Sequence, residues 1–142
     1  MNKYKIRISV KGFFFNSKGE VLLIEGLRKE KGESYLCAPG GGVEDKESLE
    51  KALERELIEE TGYTGGADKI VFCQDYQNPD MGRNFEIFMV GKIDEEVERV
   101  DSEDHKSKFI TKEEFENIEF YPKGINPFLL QGKEGIEYGT YL

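Results

Sequence analysis

Residues 39–63, PGGGVEDKESLEKALERELIEETGY, put three carboxylates where a helix should bury apolar groups. Ser48 is an N-cap residue type, Glu50 suits the first turn and Gly62 suits the stop, so a helix is predicted over Leu49–Thr61. Wound at about 100° per residue, Leu49, Ala52 and Leu53 form an apolar stripe with Leu57 at its edge. Glu56 and Glu60 continue that stripe, Glu59 falls beside Ala52, and Lys51, Glu54 and Arg55 lie on the other side. Ordinary surface glutamates belong on the polar face. Charges on the core-facing line cost several kcal/mol unless something compensates them.

Two compensations are open. The glutamates could pair with basic side chains, but Arg55 can serve one of them and not all three. The other is a divalent cation, because hard oxygen donors suit Mg2+, Mn2+ or Ca2+. Residues three and four apart on a helix are neighbours, so Glu56 reaches the same space as Glu59 and Glu60. Three carboxylates that close resist full ionisation unless cations share the site. Ahead of them, Gly40, Gly41 and Gly42 permit close backbone approach or a simple turn.

The positions Gly41, Glu47, Arg55, Glu56, Glu59, Glu60 and Gly62 are spaced G-x5-E-x7-R-E-L-x-E-E-x-G. This resembles the Nudix box, the signature of the Nudix hydrolase family (MutT-like pyrophosphohydrolases), whose pattern is G-x5-E-x7-R-E-U-x-E-E-x-G-U with U a bulky aliphatic residue. Leu57 fills the first U, while Tyr63 departs from the second by being aromatic, a mild change where the position only packs. The resemblance implies an α/β Nudix fold, a mixed β-sheet between helices in an α/β/α sandwich, with the box as loop, helix and loop in one domain over residues 1–142. It implies a metal-dependent pyrophosphohydrolase using Mg2+ or Mn2+. Glu56, Glu59, Glu60 and the carbonyl of Gly40 would then hold the metal, and Arg55 and Glu47 would orient the carboxylates. The general base in such enzymes is a box glutamate or a carboxylate from a later loop, here Glu56 or Glu103. Glu103 could also be a further metal ligand or a solvated charge. Relatives are often homodimers, although no dimer signature is visible in this sequence.

Hydrolysing a diphosphate needs a nucleophilic water, neutralised charge and in-line geometry, and divalent metals serve the first two. The expected substrate is a small nucleoside diphosphate linked to another group. Arg28 and Arg83 are candidate phosphate contacts, and Tyr76 and Phe85 could stack on a base, though strand aromatics also serve cores. Pro79 stands sixteen residues past Tyr63, where some subfamilies carry a specificity proline, but here it sits in a turn signal, NPDMG. His105, the single histidine, is a surface residue or a proton shuttle. A nucleotide-binding regulatory module without catalysis and an RNA 5′-end pyrophosphohydrolase are the competing readings.

Net charge of −9 argues against general affinity for DNA, RNA or anionic membrane. No run is long enough to span a membrane and the N-terminus lacks a signal-peptide pattern, so a cytoplasmic protein is expected. Cys37 and Cys73 lie in apolar strand-like runs without metal spacing and read as reduced thiols. Strands are predicted over 5–15, 20–25, 35–38, 69–76, 84–93 and 107–110, with charged loops over 26–34 and 94–106. Short helices are predicted after the caps Thr111 and Asn126.

Overall fold

Strand β1 (Ile6–Phe15) feeds two cores at once, because successive side chains point to opposite faces. Phe13 and Phe15 enter one core and Val10 and Phe14 the other. The computed structural model describes residues 5–28, 33–78, 82–100 and 106–141. β1 pairs in parallel along its whole length with β6 (Gly82–Ile93), and β6 forms an antiparallel hairpin with β5 (Gly65–Asn78). On the other flank β1 meets β2 (Val21–Arg28) only at Phe15↔Val21. Further on, β2 pairs antiparallel with β3 (Glu33–Cys37). The sheet is completed by β4 (Gly40–Gly42) beside β1, β7 (Lys108–Ile110) beside β2, β8 (Phe120–Tyr121) beside β3 and β9 (Glu137–Tyr141) beside β5.

Helix α1 (Leu49–Thr61) covers one face, inserting fully buried Ala52, Leu53 and Leu57 against Val10, Phe14 and Met89. Burying a leucine side chain contributes about 1.5–3 kcal/mol, so these contacts fix where the helix lies. The opposite face stacks Phe13 on Phe88 at 5.4 Å and is closed by Phe120 and by Leu130 of α3 (Pro127–Leu130), with Phe115 of α2 (Lys112–Phe115) at its margin. Helices therefore flank a mixed sheet on both faces. No helix among the described residues is long and apolar enough to cross a membrane.

Three sequence expectations change. The loop expected over 26–34 is shorter, because Leu27↔Ser34 and Arg28↔Glu33 extend the β2–β3 ladder and give those backbone groups partners. The strand expected over 69–76 begins earlier, at Gly65 and Gly66: a Cβ on Gly91 would stand 2.2 Å from the Gly66 carbonyl oxygen, so glycine here marks close strand approach. The glycine triplet at 40–42 is a strand as well as a turn, pairing Gly40, Gly41 and Gly42 with Lys11, Val10 and Ser9.

Candidate active site

The box helix is fixed at both ends by local chemistry. The Ser48 hydroxyl accepts from the Lys51 N–H at 3.1 Å, and Gly62 closes the helix with φ 77°. Its last carbonyls are held from outside: Arg99 Nε donates to the Thr61 oxygen at 2.7 Å while its guanidinium lies 5.0 Å from the Tyr63 ring centre. Tyr63 packs edge-on against Phe109, so the aromatic departure from the box pattern falls at a packing position.

Arg55 organises the box. Its Nε and Nη2 donate to the two oxygens of Glu47 at 2.8 and 2.9 Å, and Nη2 also reaches the Gly42 carbonyl oxygen at 3.1 Å. Nη1 donates to Glu56 at 3.0 Å and Glu59 at 3.4 Å and lies 3.7 Å from Glu44. Two-point guanidinium–carboxylate bonding holds the Glu47 carboxyl down at about 2 and pushes Arg55 up. Glu60 is 9% exposed, and its Oε1 accepts from the Gly40 N–H at 2.7 Å. The three helix carboxylates thus differ in setting: Glu60 is buried, the Glu56 side chain is 17% exposed and that of Glu59 is 48% exposed.

Four carboxylates around one guanidinium leave a surplus of three negative charges, two of which a divalent cation would offset. The donors are all hard oxygens. Gly41 shows the fit: a Cβ there would come within 2.7 Å of the Glu56 carboxylate, so only glycine lets that group lie against β4. Among the described residues no three acidic, histidine or cysteine side chains are placed to hold a metal ion together in this arrangement. Glu56 and Glu59 bond to Arg55 and Glu60 to the Gly40 amide, so the carboxylates share one helix surface while turned to different partners.

Beside the box, on the sheet face away from α1, opens a cavity of about 650 Å³. This is within the range of small-molecule pockets. Tyr35, Tyr76, Phe88 and Tyr121 supply aromatic walls, with Gln74, Glu86 and Lys11 below. Lys11 ties cavity to box by donating from Nζ to the Gly40 carbonyl oxygen at 3.3 Å. Cys37 also lines the cavity; burial pushes its thiol up, Lys11 opposes this, and Glu60 and Glu86 add to it. One thiol thus senses charges of both cavity and box. Cys37 and Cys73 are both free.

The substrate candidates scatter. Tyr76 lines the cavity, where its hydroxyl accepts from the Asn84 amide. Phe85 lies on the opposite sheet face, since it sits between Asn84 and Glu86 on a regular strand, so the two aromatics do not share one pocket. Arg83 is bonded through Nε and Nη2 to both oxygens of Asp75, which lowers the Asp75 pKa. Arg28 ends β2, and its side chain lies outside the described residues, as do Pro79, Glu103 and His105. Sequence reasoning passed over Lys11, Tyr35, Gln74, Glu86 and Tyr121. The sequence held no clear signal for Gln74 and Glu86: Glu86 stands between Phe85 and Ile87, a pattern that ordinarily turns the polar residue outward, and Gln74 is followed by Asp75.

The sequence pattern of the NUDIX domain matches residues 5–130. Nudix hydrolase 5 of Arabidopsis thaliana is 27% identical over 126 residues, covering 84% of this chain and 41% of that protein. An RNA pyrophosphohydrolase of Pasteurella multocida is 42% identical over 61 residues, covering 43% of this chain and 29% of that protein. The chain thus spans less than half the length of these two curated relatives. The crystal structure of a MutT protein from Methanosarcina mazei is similar with a TM-score of 0.65 at 24% identity, covering 84% of this chain and 86% of that one.

Proposed function

The chain belongs to the NUDIX family, and from that premise we propose that it hydrolyses the diphosphate bond of a nucleoside diphosphate linked to a second group. One observation carries this reading: the Arg55-centred glutamate cluster adjoins an aromatic cavity through Gly40, so an anhydride-cleaving site and a base-sized pocket are contiguous. Glu56, Glu59, Glu60 and the Gly40 carbonyl are the groups that would hold Mg2+ or Mn2+. Such an ion supplies charge neutralisation on the diphosphate and makes water acidic enough to deprotonate near neutral pH.

The chain's own residues divide the remaining work. Glu47 and Arg55 position the glutamates without meeting substrate, as outer groups around a metal commonly do. Glu56 accepts the proton of the attacking water, whose oxygen bonds to phosphorus. The bridging P–O bond breaks, and its electron pair leaves on the departing phosphate. Glu103, outside the described residues, is the alternative base.

A panel assay tests the reading: purified protein with Mg2+ or Mn2+ against nucleoside triphosphates, ADP-ribose, nucleotide sugars, dinucleoside polyphosphates and NADH. Metal-dependent cleavage of one compound at kcat/KM of about 10^4 M−1 s−1 or above supports it. Silence across the panel with metal bound would favour a non-catalytic nucleotide-binding module. The 61-residue likeness to an RNA pyrophosphohydrolase gives triphosphorylated RNA a place in the panel. Net charge of −9 weighs against an RNA substrate.

A further inference from the structure

Glu86 is a carboxylate on the floor of the aromatic cavity, and the box chemistry does not use it. It is 8% exposed. Its two oxygens accept from neutral donors, Oε2 from the Ser9 hydroxyl at 3.1 Å and Oε1 from the Gln74 amide at 2.8 Å. Those donors come from β1 and β5, on either side of β6, so the carboxylate is clamped in one orientation. Lys11, which lines the same cavity, donates to the Gly40 carbonyl. An ionised carboxylate accepts about four hydrogen bonds, and two are supplied by described residues. Taking it out of water with neutral partners alone is costly, and a ligand that brings further donors offsets that cost.

We propose that Glu86 reads the base of a guanine nucleotide, accepting from N1–H and the N2 amino group while the purine lies among Tyr35, Tyr76 and Tyr121. The reasoning is donor complementarity. Guanine presents two adjacent N–H donors on its pairing edge. Adenine and cytosine each set an acceptor nitrogen beside their amino group, and uracil flanks its single N–H with carbonyl oxygens. Each of those acceptors would face the carboxylate, and a site built for hydrogen-bond donors discriminates strongly against a ligand lacking them. Aromatic walls hold any base by stacking and choose little among them, so the choice falls to the floor.

The proposal rests on the reading of this cavity as the nucleotide end of the hydrolase site. Its test uses GMP, IMP and AMP, which contain no anhydride, so binding is measured without turnover. Titration of the whole chain in Mg2+ is expected to rank GMP over IMP, which lacks the N2 donor, and IMP over AMP. The GMP-to-AMP ratio is expected to be on the order of 10- to 100-fold, the worth of charged hydrogen bonds. Glu86→Gln, close to isosteric, is expected to bring that ratio near one. Equal binding of GMP and AMP by the wild type, no binding of any of the three, or an unchanged ratio in Glu86→Gln would overturn the proposal. Guanine-selective binding without anhydride cleavage would defeat only the hydrolase reading. Anhydride cleavage with base-blind binding would defeat only this one.

Discussion

Arg55 grips Glu47 at two points, Nε to Oε2 at 2.8 Å and Nη2 to Oε1 at 2.9 Å, eight residues apart in sequence. The fork spans from the loop before α1 to its middle turn and leaves Nη1 free to face Glu56 and Glu59. Planar two-point geometry is what a guanidinium offers and an ammonium does not. The box arginine therefore sets both the loop and the direction in which the glutamates point.

Arg55→Lys keeps the charge and loses the fork. Its kcat/KM is expected to fall about 10- to 100-fold, the usual cost of removing a group that orients metal-binding side chains. Mg2+ affinity by calorimetry should weaken in parallel. Unchanged turnover in this variant would show that the two-point grip is dispensable.

Glu47 links the site to acid stability. Its folded pKa is lowered from 4.5 to about 2, first by the hydrogen bonds from Arg55. A depressed acid stabilises the fold fully above pH 4.5, and that contribution is lost as pH falls through about 2. The difference in urea midpoint between wild type and Glu47→Gln should be widest at neutral pH and narrow steadily through that window. A difference that stays constant from neutral pH to the acid limit would contradict the linkage.

Gly41→Ala places a methyl group where the Glu56 carboxylate lies, 2.7 Å away. The side chain must swing off β4 to make room. Turnover is expected to drop at least about 10-fold, since displacement of a catalytic group by an ångström can cost 100-fold. Thermal unfolding should move little, because the adjustment is made by one partly exposed side chain. Full activity in Gly41→Ala would remove Glu56 from the role assigned to it.

Leu53→Ala tests the apolar stripe that carries the box. Leu53 is fully buried between α1 and the sheet, and truncation there is expected to cost about 2–5 kcal/mol. Chemical denaturation reads this directly. A loss under about 1 kcal/mol, the scale of ordinary surface changes, would mean that the helix is not held by this stripe.

Helix α1 was legible to the residue because its signals are local: a serine cap, an apolar stripe and a glycine stop. The capping box at Thr111 and the Asn126 cap were readable for the same reason. β4, β8 and β9 were not, since Gly40–Gly42, Phe120–Tyr121 and Glu137–Tyr141 have no period of their own and become strands only by pairing with distant segments. The site divides in the same way. Its glutamates stand within one helix and could be found from spacing. The cavity is assembled from β1, β3, β5, β6, β8 and the turn after it, so Tyr35 and Tyr121, 5.0 Å apart, are brought together by strand pairing alone.

The most direct measurement is hydrolysis of the nucleotide panel by wild type and by the double variant Glu59→Gln, Glu60→Gln, with circular dichroism on both. Wild type is expected to cleave an anhydride only when Mg2+ or Mn2+ is added, and the double variant to keep its fold and lose turnover. A double variant that still turns over, or a wild type that cleaves nothing in the panel, would contradict the assignment of these glutamates to diphosphate hydrolysis.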